Sequence, residues 1–281
     1  MNGWLEGDAA MLRAGSCVAV FVVMAVAETV FEERPRRVAR RSRWVSNLGL
    51  TLLNTAVLRL LFPIGAVSAA LWSATNGAGL LQVANWPAAM EFVLAIVLLD
   101  LVIYAQHVLF HSVPLLFAIH KVHHTDIDFD VTLGSRFHPL ELLLSMGIKL
   151  AAVSVIGASV PAVIVFETLL AVTSLFNHAN VHLPRRIDRA LRWLIVTPAM
   201  HSIHHSAERR DRDTNFGFSI PWWDRLFGTY RVEASSEHPG IGLPDLQNQT
   251  RQTLRWLLTL PFRSAPSAIV TGRSRTRRNA A

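Results

Sequence analysis

Eleven of the twelve histidines lie between His107 and His205, about a third of the chain, where even scatter would leave about four. They fall as His107-x-x-x-His111, His120-x-x-His123-His124, His178-x-x-x-His182 and His201-x-x-His204-His205, with His138 between the second and third groups. Residues three and four apart share one face of a helix, so each group can aim two or three imidazoles at one point. Imidazole is a ligand for iron, zinc, copper and nickel. Ten such side chains exceed the needs of one tetrahedral ion and suffice for two metals.

The blander reading of each group is a surface cluster or a buried polar residue. Three imidazoles within five residues are a poor core device, because each ring carries polar nitrogens that need partners when buried. Two such groups, each preceded by H-x-x-x-H, point to a metal centre. His138, in Ser135-Arg-Phe-His-Pro139, is a further candidate ligand. The sequence has no H-E-x-x-H, the zinc-protease pattern. It has one cysteine, Cys17, which excludes a Cys ligand set and an internal disulfide. Glu-x-x-His does not recur on two helices as in soluble carboxylate di-iron bundles. What remains is an all-nitrogen, dinuclear site. Iron suits it if the task is O₂ activation, and zinc, copper and manganese satisfy the same donors.

The elements that must position these residues are apolar. The 281 residues are 51% hydrophobic and 17% charged, against about 25% charged for a soluble domain. Spanning-length apolar segments occupy about 10–30, 48–73 and 88–110, and a longer one runs from 140 to 176. The last is too long for one helix across a ~30 Å core at 1.5 Å per residue. The break at Gly157-Ala-Ser-Val-Pro161 predicts a helical hairpin. The net charge of +7 comes from 25 Arg against 2 Lys, clustered at 34–43, 185–192, 209–212 and 273–278. In a membrane protein such clusters mark the cytoplasmic side and anionic headgroups rather than a nucleic-acid surface. The segment at 34–43 then puts the loop after the first span in the cytoplasm, and the third span and the returning hairpin deliver their histidines to that face. Ala25-Val26-Ala27 resembles a signal-peptidase site, but Glu6 and Asp8 precede the apolar run, so the first span is read as uncleaved.

Ionisable residues inside spans are costly and mark function by default. Asp100, Tyr104, His107 and His111 form one stripe, so Asp100 and Tyr104 are candidates for orienting an imidazole. The competing reading is an Asp100–Arg59 ion pair. Glu167, Ala171, Ser174, His178 and His182 form a similar stripe, and Lys149 and Glu167 are equally far from the hairpin break, which predicts that they pair. The expected architecture is an all-α integral membrane protein with about three spans, a helical hairpin and a cytoplasmic helical cap carrying the dimetal site. Residues 1–95 hold N-terminal spans, 96–235 the histidine domain, and 236–281 an amphipathic stretch (247–262) expected in the membrane interface plus a basic, disordered tail. His238, in Glu237-His-Pro-Gly240, resembles a haem-binding loop of cytochrome b5, but no histidine follows it and a surface loop is expected.

Several of these runs resemble the fatty acid hydroxylase/sterol desaturase superfamily over about 95–232. They are Asp100-x-x-x-Tyr104-x-x-His107-x-x-x-His111, His120-Lys-Val-His-His124, Arg136-Phe-His-Pro-Leu-Glu141, Asn177-His-Ala-Asn180, Thr197-Pro-Ala-Met-His-Ser-Ile-His-His205 and Trp223-Asp-Arg-Leu-Phe-Gly-Thr-Tyr230. The resemblance implies a membrane oxygenase whose ten box histidines carry two iron ions, zinc being possible as the bound species. It implies hydroxylation or desaturation of a lipid or sterol-like C–H bond with O₂. Electrons would come from a separate donor, a ferredoxin or cytochrome b5 with its reductase. Where the family often has Arg after the first histidine of the first and last boxes, this chain has Val108 and Ser202, neither of which can be a ligand. Two other classes fit the histidines: a zinc-dependent lipid hydrolase, and a membrane metal- or haem-binding protein, which would spread its histidines along a path across the bilayer.

Overall fold

The computed structural model describes residues 2–62, 64–83, 86–236, 240–248 and 252–263, and the side chains from residue 7 onward. The basic tail and His238 lie outside the described residues. Among these residues the architecture is all helical, with two isolated bridges and no strand. The first eight helices are α1 (Asn2–Val30), α2 (Arg40–Leu61), α3 (Ala66–Asn76), α4 (Leu80–Val83, one turn), α5 (Ala88–Ser112), α6 (Pro114–His124), α7 (Pro139–Ile156) and α8 (Val160–Asn177). Short helices α9 (Arg185–Leu191), α10 (Pro198–His204), α11 (Arg209–Arg212), α12 (Trp222–Leu226) and α13 (Leu254–Thr259) complete it.

Among the described residues, five helical segments are long and apolar enough to cross a membrane: 7–30, a stretch beginning at Arg40, Ala88–Ser112, Pro139–Ile156 and Val160–Asn177. Their outward faces are apolar, with Leu52, Leu60 and Val83 each more than 70% exposed. That surface suits lipid and would be an aggregation hazard in water. The protein is therefore membrane-embedded. The predicted hairpin is present as α7 and α8. Gly157 closes α7 at φ 73°, a left-handed conformation that disfavours any side chain. The backbone of Gly79 approaches so closely that a Cβ there would lie 2.3 Å from the Gly157 Cα.

The expected second span, 48–73, is not one helix. α2 stops at Leu61, and α3 begins afresh after Gly65 in extended conformation. The sequence between carries Pro63, which cannot donate to a helical ladder. α3 packs instead against α7 and α8, through Ala66, Val67 and Ala70.

α1, α5 and α8 end, and α2 and α7 begin, at one end of the bundle, and a buried polar lattice joins them there. Glu28, at the close of α1, is fully buried. It accepts from the backbone N–H of Val131 (2.7 Å) and Asn180 (3.0 Å) and pairs with Arg40 (2.8 Å). Arg43 of α2 forks onto Asp126 (2.8 and 2.9 Å) and also reaches Asp130. Arg136 donates to the Val122 carbonyl (2.9 Å), Asn47 Oδ1 and Asp126 Oδ2 (both 3.1 Å), Thr125 and Gln252. A charge this deep persists only when paired and fully hydrogen-bonded. Within the amphipathic stretch, α13 docks on α2 and the following turn Leu260–Phe262 docks on α6, where Leu257 and Leu260 close a small core with Leu50 and Val122.

Burial pushes the Asp126 carboxyl up, but Arg43 and Arg136 outweigh it and hold Asp126 at about 2. Its stabilisation is present above the unfolded carboxylate value of ~4 and is lost as pH falls toward 2. Asp126→Asn leaves two buried guanidiniums under-compensated and is expected to cost about 3–5 kcal/mol, read as a lowered melting temperature in detergent at neutral pH.

Candidate metal centre

The helix ends converge on nine histidines. His107, His111, His120, His124 and His204 form one group, and His123, His178, His201 and His205 a second. Within each group one ring nitrogen per residue lies within 4.8 Å of all the others. The groups share a wall, because His123–His124 and His204–His205 are sequence neighbours that face opposite ways, and the His124 and His205 rings stack at 4.5 Å. His107 and His111 come from the last turns of α5, His120, His123 and His124 from α6, His178 from just beyond α8, and the rest from α10.

Hydrogen bonds fix which nitrogen points inward. The Nδ1 of His107 lies 2.8 Å from the Phe216 carbonyl, that of His178 2.7 Å from Ser174, that of His204 2.9 Å from Thr214 and that of His123 3.3 Å from Arg136. A carbonyl only accepts, so Nδ1 carries the proton and Nε2 keeps its lone pair. His120 Nδ1 is likewise held by Glu141 at 2.7 Å. Nε2 atoms then face one another: His123 and His178 at 3.1 Å, His120 and His124 at 3.1 Å, His178 and His201 at 3.0 Å. Between His123 and His178, whose protons are both held on Nδ1 by carbonyls, two lone pairs meet and repel unless a cation lies between them. Buried Nε2 atoms of His107 and His204 have no hydrogen-bond partner at all.

A proton is a poor cation here. Burial first, and neighbouring imidazoles second, hold His123, His124, His201 and His205 well below the ordinary histidine range. Burial likewise lowers His178 and His204 to about 3. The rings are neutral at physiological pH, the form that binds metal, and the carbonyl- and carboxylate-anchored nitrogens supply the outer support that metal-binding histidines use. The donor set fits two metal ions.

Two candidate ligands stand apart from both groups. α8 ends at Asn177, so the stripe from Glu167 to His178 does not extend to His182. There the chain is extended, and Val181 bridges to Glu32. The His182 N–H donates to the Phe31 carbonyl (2.7 Å), and its exposed ring meets Glu33 (2.5 Å). His138 caps α7, with Nδ1 accepting from the Leu140 N–H (3.2 Å) and Nε2 3.2 Å from the Leu258 carbonyl.

Asp100 and Tyr104 act at one remove. Asp100 meets neither an imidazole nor Arg59, which is exposed on α2. It accepts from Trp223 Nε1 at 2.9 Å. The Tyr104 hydroxyl lies 2.9 Å from Thr229 Oγ1, and its ring stacks on Phe227 at 5.5 Å. Both fasten the aromatic segment 216–230 to α5. Sequence reasoning assigned no role to Asp224, which organises that segment by accepting from the N–H of Phe216 (2.7 Å) and Gly217 (2.8 Å) and from Thr229 (2.7 Å). Nor did it assign one to Glu141. Their signal was present, since each stands in a quoted motif, but only the fold shows that they back His107 and His120.

A cavity of about 400 Å³ opens inside the bundle between α1, α2, α5, α7 and α8. His107, His120, Phe137 and Phe218 line one end, and Arg13, Lys149 and Glu167 the other. Lys149 and Glu167 pair at 2.5 Å, as their spacing from the hairpin break predicts.

Residues 92–229 match the fatty acid hydroxylase family. The chain is 28% identical to an ornithine lipid hydroxylase of Rhizobium tropici over 159 residues, 57% of this chain and 47% of that protein. It is 26% identical to the human alkylglycerol monooxygenase over 161 residues, 57% and 35% of the respective chains. It is also 26% identical to the rat cholesterol 25-hydroxylase over 146 residues, 51% and 48%. The chain spans less than half the length of each of these relatives. No solved structure matches it. The segment that matches the fatty acid hydroxylase family, residues 92–229, is the one that carries the nine converging histidines.

Proposed function

We propose that this protein is a membrane-bound, non-haem di-iron oxygenase that hydroxylates an unactivated C–H bond of a lipid or sterol-like substrate, using O₂ and electrons from a separate donor. The observation that carries the reading is the cavity inside the spans that ends on His107 and His120. An apolar chain entering it from the bilayer meets the five-histidine group directly. When bound, two redox-active iron ions supply O₂ activation and oxidising power. Zinc satisfies the same nitrogens but has no redox chemistry.

The chain's own residues bind, orient and keep the site dry. His107, His111, His120, His124 and His204 would hold one ion, and His123, His178, His201 and His205 the other. Phe137 and Phe218 line the cavity next to His107 and His120 and exclude water from the reacting carbon. Glu141 holds the His120 ring in place from the cavity wall. The relatives named for lipid hydroxylation and alkylglycerol monooxygenation support this chemistry. The arginines between α1 and α2 and those of α9 and α11 lie at the histidine end of the bundle. This supports a cytoplasmic site in an inner membrane, within reach of a soluble ferredoxin or a cytochrome b5 with its reductase.

Substituting His123 or His204 by Ala is expected to remove bound metal and lower turnover more than about 100-fold. His182→Ala and His138→Ala retain the metal. Metal content equal in all four variants would contradict the assignment. In comparative lipid mass spectrometry, cells carrying the gene should contain a lipid one oxygen atom heavier, formed only under O₂. Iron-free protein with undiminished lipid hydrolysis and no O₂ uptake would replace this reading with the zinc hydrolase.

A further inference from the structure

The end of the cavity away from the histidines is charged. Glu167 of α8 places one carboxylate oxygen 2.5 Å from Lys149 of α7 and the other 2.5 Å from Arg13 of α1. Two cations thus share one anion, which leaves a net charge of +1. Both carboxylate oxygens are taken. Arg13 makes one of the five hydrogen bonds its guanidinium can donate, and Lys149 one of three. The wall is rich in donors and poor in acceptors; Lys149 and Glu167 are largely buried, while the Arg13 side chain is 39% exposed. A cation surplus in a low-dielectric cavity is costly unless an acceptor meets it.

Its depth fits the tail of an amphiphile. Glu167 lies seven residues from the start of α8 and ten from its end, about 10 Å and 15 Å at 1.5 Å per residue. Lys149 lies eight residues beyond Glu141, the partner of His120, about 12 Å along α7. The walls between are mainly apolar, with Leu142, Met146, Leu170 and Ala171, and the polar Gln106 and Ser145 there bond to each other at 2.8 Å.

We propose that the Arg13–Glu167–Lys149 cluster is the head-group subsite of this cavity, binding the carboxylate of an aliphatic chain so that the chain's length sets which carbon reaches the histidines. The inference rests on the oxygenase reading for the identity of the other end. Its test needs neither O₂ nor reductant.

The experiment uses the full-length protein in nanodiscs of neutral phosphatidylcholine, with displacement of a fluorescent fatty acid by hexadecanoate, hexadecanol or hexadecane. Hexadecanoate should bind about ten-fold or more tighter than the alcohol, and hexadecane more weakly still. Lys149→Met reduces the net charge to zero and should erase the preference for the carboxylate. Glu167→Gln raises it to +2 and should tighten hexadecanoate binding. Each variant breaks the ion pair between the helices, so a cluster that merely pins the bundle would weaken binding in both. Equal affinities for the three probes, or loss of hexadecanoate binding in both variants with metal content intact, overturns the head-group subsite and leaves the oxygenase reading standing. Absence of iron and of O₂ uptake overturns the latter alone.

Discussion

Nine histidines converge, and seven of them set ring Nε2 atoms 3.0–3.2 Å from one another. That constraint organises everything at this end of the bundle. Unrelieved, such an arrangement repels itself, and burial denies it the simple remedy of protonation. The rings hold their geometry because the opposite nitrogen of five of them is tied down, four to backbone carbonyls and His120 to Glu141. A site built this way suits metal cations, whose charge relieves that repulsion. The folded protein carries the cost of assembling it in its surrounding lattice, and ligand binding returns part of that cost.

The lattice explains why a membrane protein contains so many buried charges close to its histidines. Arg136 is buried to 1%. It fastens the last turn of α6 through the Val122 carbonyl, while Asp126 hands the same restraint to Arg43 on α2. Glu28 ties α1 to the loops that follow α6 and α8. Asp224 shapes the aromatic loop, and that loop presents the carbonyl that orients His107. Asp224 thus acts on His107 through one intermediary, Phe216. Rigidity of that kind lets the cavity end against His107 and His120, both carried on helices.

Much of this was legible in the sequence. Helical spacing grouped the histidines, the length of the apolar runs gave the hairpin, and equal spacing from its break paired Lys149 with Glu167. What escaped depended on where helices stop. His182 continues the stripe of α8 on paper, yet the helix ends at Asn177 and the chain straightens, so the ring turns away. The apolar run 48–73 reads as continuous, but its Pro-Ile-Gly interruption divides it into α2 and α3. Asp100 was given an imidazole or Arg59 as partner and found an indole from a segment more than a hundred residues on. Glu28 and Arg13 gave no periodic signal, since they stand fifteen residues apart on the apolar α1 and meet Val131, Asn180 and Glu167 from remote parts of the chain.

Iron stoichiometry of the full-length protein, purified and reconstituted without oxygen, tests the central claim most directly when combined with X-ray absorption at the iron edge. The account predicts two iron ions per chain in a shell of nitrogen or oxygen ligands with no sulfur. One ion per chain, or a shell that includes sulfur, would contradict it.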